Sequence, residues 1–101
     1  TMKCSTGVDN KTPKGTFHIQ SERGKYFYSQ TAKEGARYWV SWKDHGIYMF
    51  HSVPTNKQGQ FIPAQARKLG KPASQGCVRL AVPDAKWMFQ TVPYRTKVVV
   101  G

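Results

Sequence analysis

Apolar residues along this chain alternate with polar ones far more often than they recur at helical spacing. In Tyr38-Trp39-Val40-Ser41-Trp42, residues Tyr38, Val40 and Trp42 share one face and Trp39 and Ser41 the other, the period of a half-buried strand. Gly46-Ile47-Tyr48-Met49-Phe50-His51 predicts a second strand, apolar on both faces and therefore covered on both. Asp44-His45-Gly46 between them suits a hairpin connection. Shorter β-branched or aromatic runs at 16–20, 26–29, 78–80 and 97–100 predict further strands.

A single segment, about 83–91, reads as helical. Pro83 and Asp84 suit a helix start, and Pro93 forbids continuation past the residue before it. Trp87 and Met88 follow Asp84 by three and four positions and would form the apolar stripe that packs on a sheet. Residues 53–74 carry Pro54, Gly59, Pro63, Gly70 and Pro72 and predict a long loop, a feature usually reserved for function in a compact domain. The fold class expected is mainly β with one short α-helix.

The length of 101 residues suits one domain, here 1–101, and a composition 39% hydrophobic and 21% charged excludes a disordered or collagen-like chain. No apolar run is long enough for a membrane span, and the first twenty residues lack a signal-peptide pattern. Sixteen Lys and Arg against five Asp and Glu give a formal charge of +11. That excess attracts polyanions (nucleic acid, anionic headgroups or acidic wall polymers). The cations are spread evenly, with Arg67-Lys68 the longest like-charged run, so no basic arm singles out one partner.

Candidate chemistry concentrates in Ser74-Gln75-Gly76-Cys77-Val78-Arg79-Leu80, where a cysteine follows a glycine at a loop–strand junction. Glycine permits a sharp turn, and amide N–H groups at such a junction could face an oxyanion as sulfur attacks a carbonyl. A thiol needs a base or a positive neighbour to act as nucleophile. Arg79 would share a strand face with Cys77 and could supply charge, hold a substrate carboxylate or form a structural ion pair. Of three histidines, His18 lies mid-strand and is expected on the surface, and His45 lies in the hairpin turn. His51 ends an apolar strand where the long loop begins, the position of the three best suited to a base, while by itself it, like Cys77, equally fits a structural role. Cys4 and Cys77 show no CxxC or zinc-ligand spacing. Cys4 is expected to be a buried thiol, not bonded to Cys77.

The order of these segments resembles the YkuD family of L,D-transpeptidase catalytic domains. Cys4-Ser5-Thr6-Gly7 followed by Thr12-Pro13-Lys14-Gly15-Thr16-Phe17 is similar to that domain's early "STG…TPxGTF" stretch. Phe50-His51-Ser52-Val53-Pro54, Leu69-Gly70-Lys71-Pro72-Ala73-Ser74 and Ser74-x-Gly76-Cys77-Val78-Arg79-Leu80 are similar to its active-site segments. Asp84-Ala85-Lys86-Trp87 and Thr96-Lys97-Val98-Val99 continue the match.

The resemblance implies a YkuD-like β-sandwich or barrel with an active-site loop over about 53–74. The activity implied is formation of 3→3 cross-links between peptidoglycan stem peptides through a cysteine thioester. Cys77 would be the nucleophile, paired as thiolate with a His51 imidazolium, and Gly76 and Cys77 would supply the oxyanion amides. Ser52, Ser74, Gln75, Arg79 and Tyr48, the last in a hairpin resembling the family's flap, would contact substrate. A tetrapeptide donor and an amine acceptor are the partners implied, with acidic wall polymers as a further one. No metal, cofactor, nucleic acid or second subunit is implied, and the place of action is the bacterial wall, outside the cytoplasm. Two departures stand out. Gln75 occupies the place of a usual histidine, and the chain begins late in the family pattern, so N-terminal strands or modules are expected elsewhere. The competing readings are an L,D-carboxypeptidase, a wall-binding module with a decayed site, and a nucleic-acid-binding β-domain suggested by the charge and thirteen aromatics.

Overall fold

A computed structural model describes residues 1–101. The elements run β1 (Cys4–Ser5), a 3₁₀ turn (Val8–Asn10), β2 (Gly15–His18), β3 (Arg23–Ser29), β4 (Glu34–Lys43), β5 (Tyr48–Ser52), α1 (Pro63–Ala66), β6 (Val78–Leu80), α2 (Val82–Thr91) and β7 (Lys97–Val100). Five strands form one sheet in the order β1-β6-β5-β4-β3, and β2 pairs with β7 in a separate ribbon. Every pairing is antiparallel except β5 with β6.

The mainly β expectation agrees with this architecture, with corrections in detail. The long loop is not wholly irregular: Pro63 starts the short helix α1, so the chain has two α-helices rather than one. The same loop is pinned to the sheet by reciprocal hydrogen bonds between the Thr55 and Gly35 backbones, at 2.7 and 2.9 Å. β5 begins at Tyr48, not Gly46, because Asp44, His45 and Gly46 take φ of 58°, 49° and 105° and extend the turn through Ile47. β3 and β4 extend beyond their apolar centres into Arg23-Gly24-Lys25 and Glu34-Gly35-Ala36-Arg37, where the polar composition hid the pairing.

The core contains Ile19, Val40, Trp42, Val78, Leu80 and Ala85. Trp42 is its largest member, and the rings of Phe17, Tyr48 and Phe50 lie 5.0, 5.8 and 6.0 Å from it. Helix α2 covers this face of β4 and β5. Its buried stripe is Ala85, Met88 and Phe89, spaced i, i+3, i+4, while Trp87 is 49% exposed. The stripe thus sits one position beyond the one expected, and Trp87 is not core.

One irregularity shapes the opposite face. Glu34 and Trp39 differ in parity and would face opposite sides of a regular strand, yet both line the same cavity. Tyr38 between them has φ of 54°, which resets the alternation. Tyr38 itself remains on the core side, 5.9 Å from the Phe89 ring.

Because Trp42 anchors both the sheet and the β2–β7 ribbon, Trp42→Ala should lower unfolding free energy by about 3–5 kcal/mol. Urea unfolding monitored by circular dichroism measures this, and a loss below about 1 kcal/mol would mean that the core closes without it.

Candidate active site

The parallel pairing of β5 and β6 assembles the site. Its register sets His51 beside Arg79. Cys77 precedes Arg79 by two positions, so strand alternation turns both toward the face that carries His51. These three side chains line one cavity of about 520 Å³, together with Tyr48, Ser74 and Gln75. Of the sequence-predicted residues, Ser52 and Gly76 do not line it.

His51 is 7% exposed, with its ring edge-on to Phe27 at 5.7 Å. Its Nδ1 lies 2.6 Å from the Ser52 carbonyl. A carbonyl only accepts, so Nδ1 carries the hydrogen and Nε2 keeps the lone pair, the tautomer a general base needs. Burial lowers the imidazole pKa to about 4; the Ser52 carbonyl opposes that shift and the Arg79 charge adds to it.

Cys77 is half-buried and its Sγ donates to the Ile47 carbonyl at 3.3 Å. Burial pushes its pKa up, against smaller downward pulls from the Met49 backbone and the Arg79 charge. Both members of the pair are therefore driven toward their neutral forms. The thiolate–imidazolium pair expected from the sequence is replaced at rest by thiol and imidazole. The reason is desolvation, which the sequence does not reveal.

The turn bearing the nucleophile is held by its own backbone and by Ser74. Ser74 Oγ accepts the Gly76 N–H at 3.1 Å and donates to the Cys77 carbonyl. Its hydroxyl is thus committed within the turn, and so is one of the two amides expected at the oxyanion. Gly76 has φ of +140°, and a Cβ there would lie 2.6 Å from Tyr48 Cε1, so only glycine fits. Gln75 is exposed at the rim, where its Oε1 accepts from Lys11 Nζ at 2.8 Å.

Ser52 is fully buried, and its Oγ accepts the Arg37 N–H and donates to the Val53 carbonyl, both at 2.9 Å. Its hydroxyl cannot reach a substrate; its contribution is the carbonyl that orients His51. His18 is exposed on β2, and His45 in the turn pairs with Glu22 at 3.1 Å. Cys4 and Cys77 are both free, with Cys4 packed against the core.

Arg79 is 8% exposed and incompletely satisfied. Nη1 donates to Gln65 Oε1 of α1 at 3.0 Å, Nη2 stands 3.9 Å from Glu34, and the buried Nε has no partner. A guanidinium desolvated to this extent has unused capacity for an anion entering the cavity. Glu34, Trp39, Phe27 and Ile47 also line this cavity and were not anticipated. Glu34 is one of only five acids in the chain, a rarity that could have drawn attention to it. No group of three or more His, Cys, Asp or Glu is arranged to hold a metal ion.

Comparison with known proteins gives a match to the YkuD family, the L,D-transpeptidase catalytic domain, over residues 1–100. YciB of Bacillus subtilis (strain 168), itself only provisionally assigned as an L,D-transpeptidase, is 52% identical over 105 residues, covering 100% of this chain and 54% of the relative. The structure of LdtMt1 in complex with imipenem superposes with a TM-score of 0.78 at 23% identity, over 100% of this chain and 48% of that one, a likeness of fold. L,D-transpeptidase 3 from Mycobacterium tuberculosis, solved with a faropenem-derived adduct, gives 0.71 at 26% identity over 98% and 43%. The chain spans about half the length of the curated relative it matches.

The depressed His51 pKa has a consequence for stability. Between pH 4 and 6.5 the unfolded chain binds more protons than the folded one, so stability rises with pH across that window. The contribution is complete above pH 6.5 and is lost as pH falls toward 4. At about 1.4 kcal/mol per unit, wild type should lose on the order of 3 kcal/mol more than His51→Gln on acidification from pH 7 to 4. Denaturant unfolding across that range checks it, and parallel curves for the two proteins would contradict a shielded imidazole.

Proposed function

Because the chain belongs to the YkuD family of L,D-transpeptidase catalytic domains, we propose that it joins peptidoglycan stem peptides by acyl transfer through a thioester on Cys77, forming 3→3 cross-links. The observation that carries this reading is the shared cavity of Cys77 and His51, with Nδ1 of the imidazole tied to Ser52 and Nε2 left as the base.

In the first half-reaction, Cys77 Sγ adds to the carbonyl of the third residue of a donor tetrapeptide as its proton passes to His51 Nε2. Proton transfer in step with attack suits a pair that rests uncharged, and such general-base assistance is typically worth 10²- to 10⁴-fold. The negative charge gathering on the substrate oxygen falls to the Cys77 N–H, since the Gly76 N–H is bonded to Ser74. One donor of this kind contributes about 3 kcal/mol. Collapse of the adduct breaks the peptide C–N bond, and the His51 proton leaves with the terminal D-alanine. The amine of a second stem then attacks the thioester, returns a proton through the same imidazole and restores the thiol.

Arg79 gives the cavity a buried cation with an unpartnered Nε, suited to a stem-peptide carboxylate. Gln75 cannot carry a proton, so the reading depends on His51 alone for acid–base work. The place of action is the bacterial wall outside the cytoplasm, where the +11 charge favours contact with acidic polymers.

Intact-mass analysis after incubation with a carbapenem tests the proposal. Wild type should gain one covalent adduct, Cys77→Ala none, and His51→Ala should react at least about 100-fold more slowly. Folded wild-type protein that forms no adduct would refute it. Incubation with a tetrapeptide donor and an amine acceptor then separates transfer from hydrolysis: cross-linked dimer is expected, and tripeptide alone would make the protein an L,D-carboxypeptidase.

A further inference from the structure

The nucleophile turn is held from behind by the N-terminal segment. The Thr6 carbonyl accepts the N–H groups of Ala73 and Ser74 at 2.9 and 3.2 Å, and the Val8 N–H donates to the Ser74 carbonyl at 2.9 Å. Gly7 lies so close that a Cβ on it would be 3.0 Å from Gly76 N. Beneath this contact is Thr12, 6% exposed. Its Oγ1 accepts the Gly7 N–H at 2.7 Å and donates to the Gly76 carbonyl at 3.0 Å. The direction is set by chemistry: an amide N–H can only donate and a carbonyl can only accept, so the single hydroxyl hydrogen points at Gly76.

That hydrogen bond determines where the next amide points. The Gly76–Cys77 peptide is trans, and in a planar trans peptide the carbonyl and the following N–H point in opposite directions. With the Gly76 carbonyl drawn toward Thr12, the Cys77 N–H is turned away from it, and no protein acceptor takes it. The backbone groups on either side of that peptide, the Gly76 N–H and the Cys77 carbonyl, are taken by Ser74. Gly76, at φ +140°, is the one residue of the turn whose backbone could swing this peptide plane at little steric cost. The Thr12 hydroxyl opposes that swing.

We propose that Thr12 is a positioning residue for acyl transfer: by holding the Gly76 carbonyl it orients the peptide plane so that the Cys77 N–H faces the oxyanion. A donor aimed before the reaction costs no reorganisation when charge develops, whereas a freely rocking one does. This inference rests on the acyl-transfer reading and adds to it a residue outside the cavity lining.

The test compares two reactions of the same sulfur. Acylation by a carbapenem forms the S–C bond at the lactam carbonyl through an oxyanion, breaks the lactam C–N bond and delivers the thiol proton to the released nitrogen. Alkylation by iodoacetamide displaces iodide at a saturated carbon and forms no oxyanion, although it uses the same thiol. Rates are read at Cys77 by peptide mapping, which separates it from Cys4. Thr12→Val keeps the shape and removes the hydroxyl, and should slow acylation about 10- to 100-fold, less than the roughly 10²- to 10³-fold cost of deleting an oxyanion donor because the Cys77 N–H is misdirected rather than lost. Alkylation should stay within about twofold, and Thr12→Ser should recover most of the acylation rate. Thr12→Ala provides a second variant without the hydroxyl if the valine protein does not fold. Acylation unchanged in a folded variant lacking the hydroxyl, or both reactions slowed equally, would overturn the role. Wild type that is alkylated but never acylated would instead refute the acyl-transfer reading, and the positioning role with it.

Discussion

The parallel pairing of β5 with β6 is the constraint on which the site depends. Antiparallel neighbours can be joined by a tight turn, but parallel ones need a crossover, here residues 53–77. That crossover brings a distant cysteine to the strand that carries His51, and its register decides which side chains meet. Displacing β6 by one residue against β5 would turn Cys77 and Arg79 to the opposite face, away from His51. The crossover also places α1, whose Gln65 steadies Arg79, and Thr55, which ties the loop to Gly35 at the far side of the cavity. A loop that reads as irregular in sequence is thus the connection the geometry requires.

Burial sets the electrical character of the site. Desolvation raises the thiol and lowers the imidazole, so both rest uncharged beside a cation that is itself nearly sealed from water. Arg79 disfavours an imidazolium and favours an anion, and its net effect depends on where charge sits at each moment. It opposes protonation of His51 at rest and assists any negative charge brought by substrate or formed during attack. Glu34, 3.9 Å away, offsets only part of that positive charge. A resting ion pair would already have spent the electrostatic gain, whereas a neutral pair leaves it for the transition state.

Several small polar residues act at one remove. Ser52 and Ser74 bear hydroxyls that look available for substrate in the sequence, yet each donates its one hydrogen to a backbone carbonyl and accepts a backbone N–H. Ser52 still acts on the chemistry through its carbonyl, which sets the His51 tautomer. Backbone groups define much of the site, and backbone positions are the part of a site that residue identity describes least.

The sequence alone determined what local pattern controls. Alternation around Val40 and Trp42 placed the central strand, Pro83 and Pro93 bracketed α2, and the Gly76-Cys77 junction with His51 at a strand end pointed to the reacting pair. The order of the motifs carried the family. What the tertiary structure decided depends on contacts between segments far apart in the chain. The positive φ of Tyr38, which brings Glu34 and Trp39 to one cavity, has no signature in the residue pattern. The shift of the buried stripe of α2 from Trp87 to Phe89 follows from how the helix sits on β4. The neutral resting state of Cys77 and His51 follows from desolvation, which exists only once the sheet, the hairpin and the crossover have closed around them.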